Sequence, residues 1–110
     1  MIQDRLDRIE ERLKQSDTVT EHDRSELLSL VTALRAEVTE LSRTHYEQAE
    51  SITGFAGLST QEAMRSEKSP PLLSLSIRGL ASSVQGFETT HPKLVEIVNR
   101  FCTMLSNLGI

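Results

Sequence analysis

The residues of this chain with the widest chemical scope are three histidines, His22, His45 and His91, one cysteine, Cys102, and the glutamate Glu88. Glu88-x-x-His91 has the spacing of a di-iron helix ligand pair. That chemistry needs both side chains on one helical face and further carboxylates from neighbouring helices, here those of a long second helix. Pro92 breaks the face, so His91 reads as a corner histidine with Glu88 on the turn before it. His45 stands beside Tyr46 on the extension of an apolar seam. Protonation there would make packing sensitive to pH near 6, and otherwise the residue sets register or ends the core. His22 falls in a first helical turn and faces solvent. None of the three occupies the exposed mid-helix position, beside a lysine and a glycine, that a phosphotransfer histidine requires.

Cys102 follows Phe101 in an apolar helix, and no histidine stands in a helix-related position to activate it, so an inert, partly buried thiol is expected. The chain has no Gly-rich phosphate loop, no paired-cysteine metal signature and no triad motif. These residues predict a protein that is not an enzyme, with no catalytic residues, no metal ligands and no cofactor.

The elements that would hold such groups are limited by length. A chain of 110 residues is one domain's worth, able to remove about two thirds of its unfolded surface from water. Three Phe, one Tyr and no Trp are too few for an aromatic-lined pocket, so aliphatic helix-on-helix packing is expected. The net charge of -4, without a basic run, argues against nucleic acid as a partner. No window approaches the ~20 apolar residues of a membrane span, and Met1-Ile2-Gln3-Asp4-Arg5 lacks the apolar core of a signal peptide. A cytoplasmic location is expected, and a lone Cys102 agrees with a reducing compartment.

Ile2, Leu6, Ile9 and Leu13 repeat at helical spacing and predict a first helix ending near Gln15. Thr20-Glu21-His22-Asp23 reads as a capping box in which Thr20 covers the Asp23 amide. From there Leu27, Val31, Leu34, Val38 and Leu41 form a strict 4-3-4-3 seam. The helix carrying it is expected to run from Thr20 to between Gln48 and Thr53, stopped by Gly54 and Gly57. The two helices would form a hairpin over residues 1–50, with the back half of the long helix left without a partner inside it, to be covered by the C-terminal half or by another copy of the chain. Residues 51–71 read as a loose connection with one short helix at Ser59-Thr60-Gln61-Glu62. Residues 72–110 read as a second hairpin. Its first helix begins at Pro71 and carries Leu73, Ile77, Leu80, Val84 and Phe87. Its second begins at Pro92 and carries Leu94, Ile97, Val98, Phe101, Met104, Leu105 and Leu108, with Gly109 as its left-handed cap and Ile110 folded back.

The fold class expected is therefore all-α, with two helical hairpins of about four main helices, one of them long, forming a single domain as a bundle or coiled-coil-like assembly. Its function reads as a non-enzymatic, self-associating assembly or adaptor role. The seam Leu27, Val31, Leu34, Val38 and Leu41 would be the self-association surface of a homo-oligomer, a dimer being favoured. A row of small residues, Ser76, Gly79, Ser83 and Gly86, gives an alternative: a regulatory subunit that binds a larger protein through close helix approach. A metal- or ligand-binding bundle using Glu88 and His91 is a second alternative.

The pattern Gly86-Phe87-Glu88-x-x-His91-Pro92-Lys93-Leu94, followed by Leu105-Ser106-Asn107-Leu108-Gly109-Ile110, resembles a family of small bacterial helical proteins of unknown function. In that family a Phe-Glu-x-x-His-Pro-x-Leu corner and a terminal Asn-x-Gly-Ile also occur. The resemblance implies a helical fold and brings no activity or site residues.

Overall fold

Apolar side chains at helical spacing become five α-helices in a computed structural model of the chain, which describes residues 1–108. They are α1 (Ile2–Gln15), α2 (Glu21–Leu41), α3 (Tyr46–Ala63), α4 (Pro70–Ser83) and α5 (Pro92–Leu108). Among the described residues there is no strand. The Cα radius of gyration is 12.9 Å, against the ~13 Å of a compact domain of this length.

The first two helices start where the sequence places them. Ile2, Leu6, Ile9 and Leu13 are buried along α1, and the Thr20 hydroxyl accepts from the Asp23 N–H at 3.1 Å to begin α2. Arg24 then ties the corner shut by donating to the Leu13 carbonyl at 3.1 Å and to that of Ser16. Arg35 of α2 pairs with Asp7, at 2.8 Å, and with Glu10 of α1.

The third element departs from expectation. The long helix stops at Leu41, where the Ser42 and His45 N–H groups turn back on the carbonyls of Val38 and Leu41, and His45 is the N-cap of a new helix. That helix, α3, passes through Gly54 and Gly57 and occupies most of the segment expected to be a loose connection. Ser59 and Thr60, expected to cap a short helix, lie inside it. Its buried residues are Ala49, Ile52, Thr53, Ala56, Ser59, Thr60, Glu62 and Ala63, a helical repeat written mostly in small and hydroxylated residues instead of leucines. The hydroxyls need no outside partner. Thr53 and Thr60 donate to the carbonyls four residues back at 3.0 and 2.8 Å, and Ser59 to the one three back at 3.1 Å. Two glycines cost roughly 1 kcal/mol each in a helix interior. Packing offsets this, because α3 touches all four other helices and small side chains let it sit close to each.

The connection that remains runs from Met64 to Ser69, and α3 and α4 lie antiparallel across it along most of their length. Pro70 and Pro71 occupy the first turn of α4. Leu73 and Leu80 are buried on this helix, and Val84, also buried, sits just past its end at Ser83. Gly86 then takes φ +96°, which L side chains rarely adopt, and its N–H donates to the Glu88 carboxylate at 2.9 Å. Pro92 opens α5, whose buried residues are Leu94, Ile97, Val98, Phe101, Cys102 and Leu105, with Met104 and Leu108 half-buried. The cap expected at Gly109 and Ile110 lies outside the described residues.

One core unites the helices. Phe101, Leu6, Leu27, Leu34, Leu41, Ile52, Leu80 and Leu94 are among its fully buried side chains. Among the described residues no buried side-chain nitrogen or oxygen lacks a hydrogen-bond partner.

Candidate functional site

The histidines are corner residues. His22 is exposed, with Nε2 3.5 Å from Glu26. His45 and His91, from the α2–α3 and α4–α5 corners, meet edge-on with ring centroids 6.3 Å apart. Phe87 stands between them, 5.6 Å from His45 and 5.4 Å from His91, perpendicular to both. Each ring nitrogen Nδ1 is engaged by the hydroxyl of the preceding threonine, at 2.7 Å for Thr44 and 3.0 Å for Thr90. Edge-to-face aromatic contacts of this kind add about 0.5–1.5 kcal/mol each, so the trio clasps two loops together.

Glu88 is committed to the Gly86 N–H. Among the described residues no three His, Cys, Asp or Glu side chains gather where a metal ion could bind. The expected alternative of Glu88, His91 and α2 carboxylates around one ion is therefore not assembled: Glu88 is turned to the Gly86 N–H, and His91 to Phe87 and Thr90. Cys102 is buried, and its Sγ lies 3.9 Å from the Ile77 carbonyl as a weak donor. Burial pushes its thiol up from an ordinary value of 9.0 to about 11, which keeps the nucleophilic thiolate scarce near neutral pH.

The seam Leu27, Val31, Leu34, Val38 and Leu41 lies inside the bundle, each residue no more than 1% exposed. Helix α2 packs against α1, α3 and α5, so a second copy could touch this seam only after the bundle opened. Of the two covers expected for the back half of α2, the structure supplies the one from within the chain: Val38 and Leu41 are closed to solvent, and α2 packs on α3 and α5.

The row of small residues divides. Ser83, half-buried, returns its hydroxyl to the Leu80 carbonyl at 2.6 Å, and Gly86 belongs to the turn. Ser76 is buried with its hydroxyl on the Leu73 carbonyl at 2.9 Å. Gly79 lets a ring approach: a Cβ built there would stand 2.4 Å from Cε1 of Phe55. Ser76 and Gly79 form the floor of an open groove of about 490 Å³ between α3 and α4. Its walls are Phe55 and Leu58 of α3 and Leu72 and Leu75 of α4, with Glu62 and Arg78 also lining it.

These four apolar side chains are 38%, 44%, 46% and 60% exposed, and only Met1 and Tyr46 join them as exposed large apolar residues among those described. Glu62 is held by Arg65 at 2.8 Å. The groove continues past Phe55 and Leu58 onto a shelf carrying Arg5, Glu47, Glu50 and Ser51.

Sequence reasoning named Ser76 and Gly79 as lining a groove but missed its apolar walls. Their signal was the pair of i,i+3 apolar spacings, Phe55/Leu58 and Leu72/Leu75, that fall off the buried stripes of their helices.

Residues 29–110, which include the groove and the Phe87–Leu94 corner, match a family model described as a domain of unknown function, DUF4404. The chain belongs to the DUF4404 family. No curated protein matches it, and no solved structure does. In this DUF4404 chain the matched stretch begins within α2 and takes in all of α3, α4 and α5, so both helices of the groove lie inside the family's domain.

Proposed function

We propose that the protein is a non-enzymatic helical interaction module, working in the cytoplasm, that docks a helical partner along the α3–α4 groove. One observation carries this reading: four of the six exposed large apolar side chains among the described residues converge on a single groove. Scattered exposed leucines mean little, but a contiguous apolar patch on an otherwise charged surface marks a binding face. Phe55 already fills the space above Gly79, and the ridges of Phe55, Leu58, Leu72 and Leu75 supply side chains for a helix to pack between. The docking face is assigned to this groove and not to the α2 seam, since burial inside the chain takes that seam out of reach.

The test is site-directed photo-crosslinking in the native cells, with a photoreactive residue in place of Leu75 and, as control, in place of Arg100 on exposed α5 surface. Adducts are expected at position 75 and not at position 100. No adduct at 75, or equal adducts at both, would end this reading.

A further inference from the structure

We infer that the occupant of the α3–α4 groove is a second copy of this chain, placed so that α4 of each protomer lies along α3 of the other. The inference rests on the groove being the docking face and goes further by naming the partner. Its first support is charge. Arg78, on the α4 wall, forms no ion pair among the described residues, and neither do Glu47 and Glu50 on the α3 shelf. The shelf holds two carboxylates against one guanidinium, Arg5, which donates to the Glu50 carbonyl at 2.8 Å. Arg78 on the α4 wall therefore stands across the groove from two unpaired carboxylates on the α3 shelf, while Arg8 and Arg12 lie on the far flank of α3, towards α1.

A two-fold axis running along the groove, between the helices, exchanges the two sides. It brings each Arg78 towards the partner's acidic shelf twice over, as an isologous interface requires. The same axis stacks two antiparallel α3–α4 pairs into four helices whose nearest neighbours all run antiparallel, the arrangement of an up-down bundle. Leu75, the most exposed of the four apolar side chains, then meets Leu58 of the other protomer in place of water.

The second support is area. The 18 residues of α3 and the 14 of α4 span about 27 and 21 Å, and each helix is roughly 10 Å wide, so the face covers about 480 Å² per protomer. Doubled, about 960 Å² lies below the ~1,200 Å² of stable specific interfaces, in the range of weak and transient ones. That is enough for a dimer that forms and separates with concentration.

The experiment is sedimentation equilibrium of the full chain over a wide concentration series, with variants. The wild type is expected to pass from monomer to dimer mass. L75E, at a position outside the core, should stay monomeric with unchanged circular dichroism. R78E should weaken dimerisation at least tenfold, and R78E combined with E47R and E50R should recover it. Chains carrying S51C, mixed with chains carrying S82C, should oxidise to a mixed disulfide dimer, with little crosslinking of S82C to itself.

A wild type that stays monomeric throughout overturns the inference, as does failure of the charge exchange to restore association or self-crosslinking of S82C in preference to the mixed pair. If the photo-crosslink at position 75 reaches only a different protein, the second-copy inference fails while the docking face stands. If no crosslink forms there, both fail.

Discussion

The two alanine substitutions Gly57→Ala and Gly79→Ala should differ in their effect on stability, the first stabilising and the second neutral to destabilising. Both glycines are helical, and both should gain roughly 0.8–1 kcal/mol from helix propensity and from a stiffer unfolded chain. At Gly57 nothing stands within 4 Å of the new Cβ, so the gain is kept whole. With an unfolding entropy of about 2.1 cal/mol/K per residue over 110 residues, that is a rise in Tm of roughly 4 °C. At Gly79 the Cβ falls 2.4 and 2.5 Å from two carbons of the Phe55 ring, closer than real contacts allow, so the ring must leave its shelf. Burying a phenylalanine contributes about 1.5–3 kcal/mol. Phe55 is already 38% exposed, which leaves about 1–2 kcal/mol at stake and makes Gly79→Ala neutral to destabilising. Urea titrations at low protein concentration read both, and the two variants should differ by about 1–2 kcal/mol. A Gly57→Ala protein no more stable than wild type would refute the continuity of α3 through its glycines. Equal gains at both positions would refute the close approach of Phe55 to α4.

Gly86→Ala should cost about 1–2 kcal/mol, since φ +96° is strained for any residue with a Cβ; a thermal melt checks it. Leu41→Ala, at a position fully closed to solvent, should cost about 3 kcal/mol, independent of protein concentration if the residue is core. Leu75→Ala, at 60% exposure, should cost under about 1 kcal/mol in dilute solution, and urea midpoints compare the two. The neutral Cys102 thiol is favoured by folding, since its pKa rises to about 11 in the native state. Its contribution is present below about pH 9 and fades as pH climbs towards 11. The stability advantage of wild type over Cys102→Ser should accordingly shrink across that window, and a thiol reagent at pH 8 should label the native protein far more slowly than the unfolded one.

The starts of α1, α2 and α5 were legible because each is signalled by strong local chemistry: an apolar repeat written in Ile and Leu, the Thr20 cap, and Pro92. The seam of α2 was legible as a seam, and its partner was not. Periodicity says that Leu27 to Leu41 must be covered, but a stripe of leucines packs equally well on another chain or on α1 and α5. The end of α2 was misjudged for a related reason. His45 and Gln48 happen to continue the heptad, and nothing local outweighs that continuation at Ser42, where the break is made by backbone turns onto Val38 and Leu41.

What the sequence alone determined is the class: an aliphatic, helical chain with an acidic balance and firm start signals for its clearest helices. What only the tertiary structure decided is the role of α3. Ala, Ser, Thr and Gly carry little intrinsic signal, since each contributes too little apolar area to be recognised and two of them disfavour an isolated helix. Surrounded by four other helices, the same small residues become an advantage, because backbones can approach closely and every hydroxyl returns to its own helix. The groove follows from that placement: once α3 faces α4 with Gly79 beneath Phe55, the leucines left off both buried stripes come to share one exposed face.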